Sequence, residues 1–190
     1  DQNHLARGVE IVGRKIDTYT DYRRILDRKD IDAVIIASPD HWHAVMMVHA
    51  CEAGKDVYVE KPACNTIEEG QAMVRAAQRY GRVVQVGSQG RSTENGFKAC
   101  QYIRNGQIGQ VQRVECWHYE NPEGGDLTKN GPAPPELDWD MWLGPSRWYE
   151  YNPDRVHFNF RWFLEFGGGQ IRDRGAHVLS LVSWFLDLDH

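Results

Sequence analysis

The sequence predicts an α/β chain, with a doubly wound parallel sheet over residues 1–92 and the start of a second, more antiparallel region over 93–190. Three observations predict it. Short apolar runs at 33–38, 56–59 and 82–87 alternate with segments of helical period. The first run, AVIIAS, is continuously apolar, as strands covered on both faces are. The segments between the runs are long enough for crossover helices, and such crossovers are right-handed and join parallel strands.

Each element has a local reason. Thr20 can cap a helix through DYRRILDRKD, and Asp32 leads into the strand AVIIAS. In HWHAVMMVHACEAG, residues Ala44, Met47, Val48 and Cys51 fall at helical spacing and Gly54 supplies the C-cap. The strand at 56–59 stops abruptly at Glu60, Lys61 and Pro62. A proline cannot continue a ladder, so Pro62 fixes the turn that aims Lys61, and a cis bond is open to it. Thr66 and Glu69 form a capping box for IEEGQAMVRAAQRY, which Gly81 ends before the strand RVVQVG.

From about residue 93 the rhythm changes. NGFKACQYIRNG predicts a helix, and VQRVECWHY at 111–119 predicts an alternating strand with one wet face. Residues 120–138 read as a Pro- and Gly-rich loop, and the glycines at 167–169 as a flexible run before a last helix. The tryptophans of DWDMWLGPSRWY suit either a sugar-stacking wall or simple packing.

Composition narrows the partners. The net charge is −5 and no Lys/Arg cluster is present, so nucleic acid is not expected. No apolar run approaches the ~18 residues of a membrane span, so no membrane partner is expected either. Cys51, Cys64, Cys100 and Cys116 lie far apart without the paired spacing of a zinc site, which favours reduced, structural thiols.

In doubly wound sheets, ligands sit outside the carboxyl ends of the strands. Three such ends converge here, at SPDHWH (38–43), EKP (60–62) and GSQGR (87–91), and they aim Lys61 at a crevice. A rival reading takes His41 and His43 as an H-x-H pair that joins Asp173 and His177 in a metal-dependent hydrolase. That reading leaves Lys61 and Pro62 without a role.

The segments DAVIIASPDHWH, AGKDVYVEKPA, VVQVGSQGR and GGGQIRDRGAHVLSL together resemble the Gfo/Idh/MocA family of nicotinamide-dependent oxidoreductases. The resemblance implies a Rossmann domain (1–92) followed by an α/β domain with an open, largely antiparallel sheet (93–190) for substrate and oligomer contacts. It implies Lys61, Asp173 and His177 as the catalytic group. Ser38, Pro39, His43, Glu60, Lys61, Gln89, Arg161 and Trp162 match positions along the cofactor. The cofactor implied is NAD or NADP, with NAD favoured, and no metal.

The implied substrate is a sugar, a glycoside or a cyclitol, oxidised at a carbinol by hydride transfer. The alternative within the family cleaves a glycoside through a transient ketone, with no net redox change. The chemistry of the residues agrees with a dehydrogenase, because a neutral imidazole can take the hydroxyl proton while an ammonium stabilises the developing alkoxide. A homo-oligomer is implied for the full-length protein, in the cytoplasm or, with an export signal upstream, in the periplasm. The sequence holds no G-x-G-x-x-G turn, so it reads as a piece that begins after the first βαβ unit and stops within the second domain.

Overall fold

A computed structural model of the chain describes residues 1–120 and 127–188. Its centre is a parallel sheet of three strands in the order β1 (Ala33–Ile36), β2 (Asp56–Glu60) and β3 (Val84–Gly87). The registers run Ala33↔Asp56 to Ile36↔Val59 and Val57↔Val84 to Glu60↔Gly87. All three carboxyl ends therefore fall on one edge of the sheet, as the alternating pattern predicts.

Before the sheet come α1 (Gln2–Val12) and α2 (Arg23–Leu26). The first is absent from the reading above, although its signals are ordinary: Asp1 accepts the His4 N–H at 2.8 Å as N-cap, and Gly13 closes the helix in the left-handed region. The second is shorter than the predicted 21–30. Thr20 does not cap it; Asp21 takes the Arg23 N–H instead, at 3.0 Å.

The crossovers are α3 (Asp40–Glu52) between β1 and β2, and α4 (Ile67–Tyr80) between β2 and β3. Helix α4 begins in the predicted capping box, with Thr66 Oγ1 accepting the Glu69 N–H and Glu69 accepting the Thr66 N–H, and Gly81 ends it. Both helices cover one core, in which Met47, Cys51, Val57, Val59, Met73 and Ala76 are buried. Each large apolar side chain there contributes about 1.5–3 kcal/mol relative to leaving it in water.

Beyond the sheet, α5 (Glu94–Arg104), α6 (Trp139–Leu143), α7 (Gly169–Asp173) and α8 (Gly175–Phe185) follow. The strand expected at 111–119 does not form. Residues 111–120 pair with no strand among the described residues, and an alternating pattern has nothing to complete without a neighbouring ladder. No antiparallel pairing occurs among the described residues after 93. Part of the predicted loop, residues 121–126, lies outside the described residues.

The tryptophan-rich segment serves packing first. Trp139 stacks on Trp142 at 4.9 Å, and Leu143, Phe160 and Phe166 form a second small core around them. Gly144, at φ +48°, lies so close to Trp42 that an added Cβ would stand 2.0 Å from the indole. Trp42 Nε1 donates to the Met141 and Trp142 carbonyls, both at 3.1 Å, and so ties α3 to α6.

Candidate active site

The turn after β2 is fixed from several sides. The Lys61–Pro62 bond is cis. Glu60 Oε1 accepts from Gln89 Nε2 at 2.7 Å, and the same amide donates to Tyr58 Oη at 3.0 Å. The Glu60 carboxylate fills the space beside Gly87, where an added Cβ would stand 2.8 Å from Oε2. Further along, the ring nitrogens of His43 lie 2.8 Å from the carbonyls of Pro62 and Ser38, which joins the turn to the end of β1. Arg172, on α7, donates to the Cys64 carbonyl at 2.7 Å and to Asn65 Oδ1.

Held this way, Lys61 reaches α7. Its Nζ donates to the Asp173 backbone carbonyl and to Asp173 Oδ1, both at 2.6 Å, and neither side chain is more than 16% exposed. Arg161 Nε stands 3.5 Å from the same carboxylate oxygen. The Arg161 guanidinium also lies over the rings of Phe158 and Phe160, at 4.3 and 4.5 Å. Burial alone would raise the Asp173 carboxyl, but the Lys61 hydrogen bond and the charges of Lys61 and Arg161 outweigh it, so its pKa is below the ordinary value.

Lys61 lines a crevice of about 720 Å³ at the carboxyl ends of β1 and β2. Ser38, Pro39, His43, Glu60, Lys61 and Arg161 all line it, so the fold gathers six of the sequence-predicted residues. The other four lie outside this lining, Asp173 among them although it holds Lys61. Gln89 supports Glu60 from β3's end, and Trp162 packs edge-on against Phe158 at 6.4 Å. His177 sits in the first turn of α8, two residues past Gly175, and its N–H donates to the Arg174 carbonyl at 3.1 Å. Asp173 and His177 thus belong to two successive helices.

The metal-site reading is corrected. His41 does not join His43, Asp173 and His177; its ring packs against Trp142 and Phe166 at 5.2 and 5.1 Å, and its Nε2 lies 2.9 Å from the Trp142 carbonyl. Burial holds its pKa down at about 4, so it is neutral. Both His43 nitrogens face backbone carbonyls, which leaves none for an ion.

Asp40 and His157 are two of the crevice residues that the sequence reading did not place there. Asp40, the first residue of α3, lies in SPDHWH, whose neighbours drew the attention. His157 lines the same crevice and bonds Asp1 at 3.2 Å, and burial lowers its pKa. Its approach from 117 residues beyond Asp40 left no signal in spacing.

Parallel strands joined by helical crossovers, with charged side chains gathered at their carboxyl ends, define a Rossmann-type protein. Residues 7–88 match the family model described as an oxidoreductase family with an NAD-binding Rossmann fold, and residues 111–190 match that of its C-terminal alpha/beta domain. The chain belongs to the Gfo/Idh/MocA oxidoreductase family.

Among its relatives, an inositol 2-dehydrogenase/D-chiro-inositol 3-dehydrogenase of Halalkalibacterium halodurans is 35% identical over 75% of this chain and 43% of its own length. A levoglucosan dehydrogenase of Pseudarthrobacter phenanthrenivorans is 40% identical over 48% of this chain and 24% of its own. An oxidoreductase domain protein from Kribbella flavida has a crystal structure that superposes with a TM-score of 0.69 at 26% identity, covering 98% of this chain and 43% of that one. The chain therefore spans less than half the length of these relatives.

Proposed function

We propose that this chain carries the hydride-transfer centre of a nicotinamide-dependent dehydrogenase that oxidises a carbinol of a sugar or cyclitol. The observation that carries the reading is that Lys61, which lines the crevice, is held by Asp173. Family membership supports it, as do the inositol and levoglucosan named for the relatives. A levoglucosan dehydrogenase 35% identical over 58% of this chain has been solved with NADH and levoglucosan, which favours NAD. The dehydrogenase names of the broader matches do not favour a glycoside-cleaving reaction without net redox change.

The crevice fits the nicotinamide end of such a cofactor. It lies at the carboxyl edge of the sheet, Ser38 and Pro39 form one wall, and a buried carboxylate there has no protein hydrogen-bond partner. A nicotinamide bound there would supply the acceptor for the hydride of the carbinol carbon. Everything else falls to side chains. Lys61 donates to the substrate oxygen and stabilises the negative charge that grows on it as the C–H bond breaks. Asp173 fixes the direction of that ammonium, and Arg161 approaches the same Asp173 oxygen.

His177 takes the hydroxyl proton in this reading. Its support is its place in the first turn of α8, four residues after Asp173, which holds Lys61. Residues 1–92 are assigned to the cofactor and 93–190 to substrate and to contacts within a homo-oligomer.

The reading is tested on a form of the protein that spans the length of its relatives. NADH formation is followed across a panel of sugars and cyclitols, myo-inositol and levoglucosan included. Turnover of at least one neutral polyol is expected. A protein that binds NAD and turns over none of the panel would contradict the reading.

A further inference from the structure

A carboxylate removed from water is stable only when hydrogen bonds replace those it has lost. The acids around the crevice obey this rule with one exception. Asp173 holds Lys61, Glu60 holds Gln89, and Asp1 accepts the His4 N–H. Asp40 is only 6% exposed and lines the crevice, yet among the described residues no donor hydrogen-bonds its side chain. His43, Arg172 and Arg161 are near enough to act on it through their charges, and Asp173 opposes them. Even so, burial dominates and raises its pKa.

We propose that Asp40 is a ligand-contacting residue, whose carboxylate accepts hydrogen bonds from two neighbouring hydroxyls of a molecule lodged in the Lys61 crevice. The proposal rests on the reading of that crevice as the site of a hydroxyl-bearing ligand. An ionised carboxylate only accepts, and its two oxygens match a vicinal diol. An anionic group would meet repulsion from Asp40, Glu60 and Asp1 together. Lys61 and Arg161 already supply positive charge, so a neutral donor suits the remaining space.

Such diols come from two sources, the ribose of a nicotinamide nucleotide and a free polyol. The requirement is the same for both. A buried acceptor left without its donor costs affinity, so a ligand that lacks the diol is rejected at this position. Asp40 is also the residue whose removal should help the fold. Its place in the first turn of α3 favours the helix, but its burial without a hydrogen bond acts against folding, as in sites where stability is traded for binding.

The test uses this 190-residue chain with NADH and with myo-inositol as separate probes, at millimolar concentrations, read by saturation-transfer NMR. Asp40→Asn and Asp40→Ser are compared with the wild type, and melting temperature is measured alongside. The expected result is a loss of about tenfold or more in affinity for one probe, with a melting temperature unchanged or higher. Loss for NADH assigns the carboxylate to ribose, and loss for myo-inositol assigns it to substrate. Equal binding of both probes by wild type and variants overturns the proposal and leaves the dehydrogenase reading standing. A lower melting temperature with unchanged affinity overturns it too, since that is a purely structural role. If neither probe binds the wild-type chain, this proposal is overturned, while the dehydrogenase reading stands or falls on the turnover of the form that spans the length of the relatives.

Discussion

Lys61 and Asp173 lie 112 residues apart and meet through two hydrogen bonds of 2.6 Å, one to the carboxylate and one to the backbone carbonyl. Lys61 leaves the end of β2, and Asp173 ends α7, so the contact joins the sheet to the helices that follow it. Arg172, the residue before Asp173, grips the other side of the same turn at Cys64 and Asn65. Side chains from both regions thus hold the lysine in one direction before any ligand arrives, which is what electrostatic stabilisation of a developing charge requires.

Acid should unfold the chain in two stages. Burial lowers the His41 pKa from 6.5 to about 4, so the unfolded imidazole takes a proton first as pH falls. Its contribution is complete above about 6.5 and is lost between there and about 4, on the order of 3 kcal/mol. His157, also lowered, adds to this limb. Asp173 has a depressed carboxyl, so its stabilisation holds above the unfolded value of 3.8 and disappears as pH falls through the folded one. Asp40, raised by burial, acts in the opposite sense just above 3.8. Urea unfolding across pH measures the sum. His41→Gln is expected to shrink the first limb and keep the second; a stability that stays flat from neutral pH to about 4 would refute this.

An exposed strand edge gives a second expectation. Among the described residues β1 pairs only with β2, and Ile35 on it is 77% exposed. A flat apolar edge with unpaired backbone groups invites a second chain to add to it. This chain should therefore self-associate in sedimentation at micromolar concentration, and Ile35→Lys should shift it toward monomer. A wild-type chain that sediments as a monomer at all concentrations would show that the edge is protected.

Local chemistry made most of the sheet readable in advance. The Thr66–Glu69 capping box, Gly81 and the apolar runs each act within a few residues, so their meaning survives without knowledge of the fold. The Lys61 turn was legible for the same reason, because Pro62 ends a ladder whatever surrounds it. Asp173 was reached through resemblance to a family, since no spacing rule links residues 112 apart. Where reading failed, the decisive partner was distant. The alternation at 111–119 calls for a neighbouring strand that the described residues do not provide, and His41 looked like a ligand until Trp142 and Phe166 closed around it. Asp40 was hidden for a subtler reason: an acid at a helix start is ordinary, and only burial without a hydrogen bond sets this one apart.

The measurement that bears most directly on the central claim is the turnover of Lys61→Met, made in a form that spans the length of the relatives and assayed with one polyol that the wild type oxidises. The substitution removes the charge that acts on the developing alkoxide and leaves a side chain of similar length. We predict kcat lower by ~100-fold or more, with cofactor Kd within about threefold of wild type, because the interaction lost is made mainly in the transition state. Turnover per folded molecule close to wild type, with only a lower melting temperature, would make Lys61 a structural anchor and contradict the account.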